Sequence, residues 1–105
     1  MKKVFISGKI TGEPINECYR KFVLASMEVH KKLEDYSILW DNIINPIGLD
    51  GIHFGISHKE AMKICFAELK TCTHIYMLKD WKESKGATME HEFAKQNGLT
   101  IIYEK

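Results

Sequence analysis

The sequence predicts an α/β protein, a three-layer fold with a four-stranded parallel sheet of order 2-1-3-4, flavodoxin-like or Rossmann-like in outline. Short continuous apolar runs read as strands covered on both faces. Stretches with apolar residues at helical spacing separate them. Strand, helix, strand, repeated to a fourth strand, calls for parallel pairing with helices on both faces of the sheet. In the order 2-1-3-4 the winding reverses between strands 1 and 3, so the loops that follow those strands share one crevice.

The first strand is Val4-Phe5-Ile6, ending in Ser7-Gly8-Lys9-Ile10-Thr11-Gly12-Glu13-Pro14. Two glycines bracket this loop, so backbone N–H groups and the Ser7 and Thr11 hydroxyls can approach a ligand, with Lys9 adding positive charge. It matches neither the dinucleotide fingerprint nor a P-loop. From Pro14, which suits a first helical turn, Ile15, Tyr19, Phe22, Ala25 or Ser26, Val29 and Leu33 mark an apolar helix face. Glu17, Arg20, Lys21, Glu28, Lys31 and Lys32 fall mostly on the other face.

A second strand begins at Tyr36 to Trp40, runs on near Ile43-Ile44, and is closed by Asn45-Pro46. The span 47–57 holds three glycines without steady period and reads as a long loop of the kind that forms lids and binding loops. Ser57 can cap a helix whose Ala61, Met62, Cys65, Phe66 and Leu69 form the core stripe. His74 to Leu78 is the third, central strand. A polar turn follows, and Ser84 is a plausible N-cap of a helix over 84–97 in which Met89, Phe93 and Ala94 recur at helical spacing. Asn97-Gly98 ends it, and Leu99 to Tyr103 is the last strand.

The 105 residues suit a single domain spanning 1–105. A net charge of +1 offers no electrostatic footprint for nucleic acid or an anionic membrane, so neither is expected as a partner. There is no signal-peptide h-region and no 18-residue apolar span, which points to the cytoplasm. Cys18, Cys65 and Cys72 are odd in number and lack a C-x-x-C pair, so a disulfide framework is not expected. The five histidines show no metal-ligand spacing; no metal and no cofactor are expected.

Chemistry concentrates in the turn after the third strand. Small residues Gly86 and Ala87 in the first helical turn let a ligand touch backbone, where free N–H groups and the positive dipole end attract anions. Glu90 lies about one turn further in, close enough to the helix start to be held ionised and facing the strand mouth. A carboxylate so placed is a candidate nucleophile. The plainer alternative is a solvated glutamate that favours the helix dipole. Trp81 has two readings as well, stacking on a base or packing the turn against the sheet or a partner.

Phe5-Ile6-Ser7-Gly8-Lys9-Ile10-Thr11-Gly12 and Ser84-x-Gly86-x-x-x-Glu90-x-x-x-Ala94 resemble the nucleoside 2-deoxyribosyltransferase superfamily, which includes the 2'-deoxynucleoside 5'-monophosphate N-glycosidases. The Asn-Pro after the second strand and Leu78, Trp81, Ser84, Gly86, Ala87 and Glu90 are similar to a small, often phage- or prophage-associated branch of it. The resemblance implies a nucleoside or nucleotide substrate, a homodimer, and Glu90 as the nucleophile that forms a covalent glycosyl intermediate. It implies that Ser84 and Gly86 lie at a 5'-phosphate and that the Gly8 to Gly12 loop lines the nucleoside. Ser7, Gly8, Lys9, Ile10, Thr11, Gly12, Asn45, Pro46, Asp80, Trp81, Ser84, Gly86 and Ala87 make up the candidate substrate-binding set.

Superfamily enzymes carry one aspartate on the helix before the central strand and often another opening that strand. Here Cys65 and Thr73 stand at those positions, and neither is an acid. Asp50, Glu60, Asp80 and Glu83 are the substitutes the sequence offers, each also readable as a solvated loop carboxylate. Two functions follow as expectations: an N-glycosidase or deoxyribosyltransferase, or a binding module for nucleotides or nucleotide-derived sugars that keeps the crevice without turnover. A protein using the fold alone is the third, and it predicts no ligand effect.

Overall fold

The computed structural model describes residues 2–10, 14–32, 42–46 and 57–104. Its elements run β1 (Val4–Ser7), α1 (Ile15–Lys32), β2 (Ile43–Ile44), α2 (His58–Leu69), β3 (His74–Met77), a 3-10 turn (Trp81–Glu83), α3 (Lys85–Gln96) and β4 (Thr100–Tyr103). All neighbouring strands pair in parallel in the order β2-β1-β3-β4, with Val4 level with His74 and Ser7 with Met77. The expected fold class and strand order are therefore what the chain adopts.

Alternation along β1 and β3 divides the core. Val4, Ile6, Tyr76 and Leu78 pack against Cys18, Phe22, Ala25 and Val29 of α1. Phe5, Ile75 and Met77 point the other way, onto Cys65 and Leu69 of α2 and Ala87 and Ala94 of α3. Both central strands are covered on two faces, which explains their unbroken apolar runs.

The helix limits follow local chemistry. Ser57 Oγ accepts from the Glu60 amide at 3.2 Å and Ser84 Oγ from the Ala87 amide at 3.1 Å, each satisfying a first-turn donor. Gly98, at φ 72°, takes the left-handed position that closes α3.

Three expectations need correction. On α1 the buried face is Cys18, Phe22, Ala25 and Val29, while Tyr19 is 56% exposed. One residue turns a helix by about 100°, so the stripe through Cys18 carries Tyr19 off the core. Lys21, expected on the solvated face, reaches back along the flank of that stripe to the loop after β1. On α3, Met89 is 40% exposed and the buried face is Ala87, Glu90 and Ala94. The expected strand over 36–40 and the loop over 47–56 lie outside the described residues, as do Thr11 and Gly12.

Candidate functional site

Parallel strands end together, and at their carboxyl ends β1 and β3 come unusually close. The Leu78 amide donates to the Ser7 carbonyl at 2.8 Å, extending the ladder one residue past β3. Leu78 then packs over Gly8: a Cβ at Gly8 would stand 2.5 Å from Leu78 Cδ1 and 2.9 Å from its Cβ. Only glycine fits that approach, so the small residue after Ser7 serves packing at the crevice floor.

Ser7 itself is fully buried, and its Oγ donates to Glu90 Oε1 at 2.6 Å. Glu90 is the sixth residue of α3, on the face that carries Ala87 and Ala94, and only 6% of it is exposed. The Cys65 thiol of α2 donates to the same carboxyl. Glu90 therefore sits where β1, α2 and α3 meet, between a hydroxyl and a thiol. The acidic side chain thus meets the residue that opens the loop after β1.

The charge state differs from expectation. Burial pushes the Glu90 carboxyl up to about 7, while the Ser7 and Cys65 donors pull it down by less. A helix start does not hold this group ionised: it lies in the second turn, beyond the free amides, and loses water on every side. Burial raises the Cys65 thiol too, and the neighbouring Glu90 charge adds to that, so Cys65 stays protonated.

Asp80 has another role than a spare acid. Its Oδ1 accepts from the Lys9 amide at 3.0 Å, and its Oδ2 pairs with Lys21 Nζ at 2.7 Å. Lys21 Nζ also donates to the Lys9 carbonyl at 2.7 Å. Together Asp80 and Lys21 clasp the backbone at Lys9 to the turn after β3 and to α1. Lys21 was missed because its charge reads as solvent-facing; its place three residues after Cys18, on the edge of the buried stripe, is the signal.

Trp81 stacks on His91 with ring centroids 4.2 Å apart and an interplanar angle of 23°. His91 Nε2 lies 2.7 Å from the Tyr103 hydroxyl. Trp81 thus packs the turn onto α3 and β4, as its plainer reading held. Ser84 caps α3, Ala87 is buried beneath it, and Gly86 is half-buried in the first turn. Among the described residues the Lys85 and Gly86 amides have no partner, as first-turn amides do not. Asn45 and Pro46 follow β2 on the carboxyl side, one and two steps past the Phe5–Ile44 pair.

Of the two positions without an acid, Cys65 touches Glu90, whereas Thr73 lies at the opposite end of the sheet. There the Thr73 hydroxyl accepts from the Lys3 amide and donates to the Lys3 carbonyl. Glu60 and Glu83 are exposed. Asp50 falls outside the described residues. The groups that act on Glu90 within the described structure are thus a hydroxyl and a thiol, with no second carboxylate.

No described helix is long and apolar enough to cross a membrane. A family model described as a domain of unknown function, DUF4406, matches residues 2–103. No curated protein and no solved structure gives a match.

Proposed function

From the premise that the chain belongs to the DUF4406 family, we propose that it cleaves or transfers at the N-glycosidic bond of a nucleoside or nucleoside 5'-monophosphate, with Glu90 as nucleophile. The observation that carries this is the buried Glu90 carboxyl, bonded to Ser7 at the carboxyl end of β1 and one helical turn beyond the open amides of α3. Such an arrangement pairs an anion-receiving helix start with a carboxyl poised to ionise near neutrality.

In this reading one Glu90 oxygen attacks the anomeric carbon as the C–N bond breaks. The bonding pair leaves with the base, which takes a proton from water. The oxocarbenium-like transition state is stabilised by the carboxylate, whose poor solvation makes it a stronger partner than it would be in bulk water. Water then attacks the glycosyl ester, loses a proton to solvent and restores the carboxylate; a second base in place of water gives transfer. Ser7 fixes the orientation of the attacking group, Asp80 and Lys21 hold the Lys9 loop that would line the nucleoside, and the Lys85 and Gly86 amides face a 5'-phosphate.

The test is incubation with ribo- and deoxynucleosides and their 5'-monophosphates while free base is quantified by chromatography. Wild type releases base, at a rate that rises as pH passes through about 7 and Glu90 ionises, and Glu90→Ala releases none. An equal zero from both proteins on every substrate sinks the proposal for that panel.

One observation favours a second reading. A thiol rather than an acid stands beside Glu90, so the help a leaving base normally receives is missing from the described site. A nucleotide- or nucleotide-sugar-binding module would keep the crevice and lose turnover. Thermal shifts with the same panel separate the two: stabilisation by RT ln(1 + [L]/Kd) without free base supports binding alone.

A further inference from the structure

If Glu90 attacks an anomeric carbon, the reading on which this step rests, the protons around it narrow the substrate. Ser7 Oγ of β1 donates to Glu90 Oε1 at 2.6 Å, and the Cys65 thiol of α2 donates to the same carboxyl. A hydrogen already directed at the attacking group is not at the disposal of the leaving one. Asp80, at the mouth of β3, is spent in another way: its Oδ1 accepts from the Lys9 amide and its Oδ2 from the Lys21 ammonium. These contacts favour the anion that attacks and do nothing for the base that departs.

Neither donor to Glu90 carries a charge. Burial keeps the Cys65 thiol protonated, and among the described residues no ammonium or guanidinium is one of the groups that shift the carboxyl. Compensation of the buried anion therefore falls to the ligand. During attack, the ring nitrogen on the anomeric carbon comes within about 4 to 6 Å of the carboxylate, where a positive charge favours the ionised form.

A neutral base supplies no such charge and needs a proton to depart easily. A quaternary aromatic nitrogen supplies the charge and leaves without the proton. We propose that the substrate is a cationic N-glycoside, a sugar or sugar 5'-phosphate whose anomeric carbon is bonded to a positively charged ring nitrogen, as in pyridinium and N7-alkylpurine ribosides. One Glu90 oxygen bonds to the anomeric carbon while the C–N pair passes to the ring nitrogen, which departs neutral. Water then attacks that carbon, the ester pair returns to Glu90, and one proton goes to solvent. Cationic glycoside and water thus become free sugar, neutral base and a proton.

The test measures free base from nicotinamide riboside, N7-methylguanosine and their 5'-monophosphates. Their neutral counterparts are dihydronicotinamide riboside, guanosine and the matching 5'-monophosphates. Each rate is divided by that of the substrate alone in buffer, which removes the intrinsic lability of cationic glycosides. The corrected kcat/KM is then higher for the cation by at least ~tenfold in one pair or both, and the pair that responds tells a pyridinium from a purine source. On the pyridinium substrates kcat/KM, which reports the free enzyme, has its midpoint at about 7. The midpoint of kcat, which reports the complex, lies at least about one pH unit lower because the bound cation favours ionised Glu90. Equal corrected rates within both pairs, or a kcat midpoint no lower than that of kcat/KM, overturns the inference and leaves the glycosidase reading standing. Base release from no substrate at all sinks both.

Discussion

The two ends of the sheet are built from similar groups and do different things with them. At the amino end, Lys3 Nζ pairs with Glu68 at 2.7 Å, the Thr73 hydroxyl bonds the Lys3 backbone, and His74 Nδ1 lies 2.7 Å from the same hydroxyl. At the carboxyl end, Ser7 and Cys65 hold Glu90. Each end has an acid and a hydroxyl at hydrogen-bond distance of their partners. Glu68 keeps 29% of its side chain exposed. Glu90 has lost nearly all of it, and its carboxyl rises to about 7. Loss of solvent, more than the tally of hydrogen bonds, separates the two carboxyls.

The largest expected effect breaks this comparison at Glu90. Its folded-state value near 7 lies above the usual 4.5, so the native protein binds the proton more tightly than the unfolded chain. The stabilisation is complete below about 4.5 and is lost as pH rises through about 7, a change on the order of 3 kcal/mol from this group. Glu90→Gln keeps an acceptor for Ser7 and cannot ionise. Urea melts at pH 5 and pH 8 therefore show wild type losing this much relative to the variant, and curves that fall in parallel would mean Glu90 is better solvated than its burial says.

Next comes the close approach beneath the site. Gly8→Ala drives a methyl into Leu78, and because Leu78 Cβ as well as its flexible tip lies within 3 Å, the strand ends must separate. We expect a loss of about 2 kcal/mol, read as a lower urea midpoint at unchanged slope. Asp80→Asn comes third. It keeps the shape and the Lys9 contact but removes the charge that Lys21 Nζ meets at Oδ2, at a cost of about 1 kcal/mol and faster proteolysis at the Lys9 loop.

These residues also mark where the sequence could be read and where it could not. Strand alternation and the caps at Ser57, Ser84 and Gly98 act over a few neighbours, so architecture and limits were legible. The conjunction of Glu90 with the loop after β1 was legible as well, because the 2-1-3-4 order forces those strand ends together. The phase of α1 was not. Cys18 and Tyr19 are adjacent and both apolar, and what chooses between them is the sheet surface made by Val4, Ile6, Tyr76 and Leu78. The same blindness hid Glu90's burial, since Met89 is the apolar neighbour and only the fold turns the acid inward. Lys21 and Asp80 lie 59 positions apart, beyond any local pattern.

The smallest expected effect tests the amino end. Lys3→Met removes the 2.7 Å pair with Glu68 and the bond from Lys3 Nζ to the Thr71 hydroxyl but leaves the Lys3 backbone bonds to Thr73 in place. Both ion-pair partners keep a quarter or more of their side-chain exposure, so water takes over on either side of the break and the aliphatic stem still covers the sheet end. The loss should be under about 0.5 kcal/mol, and it should shrink further in molar salt. A cost near that of Asp80→Asn would place the two ends on one footing and return the distinction to hydrogen-bond geometry. A cost this small, beside several-fold larger ones at Glu90 and Gly8, would show that the two ends differ in how far burial magnifies the loss of a polar or packing contact.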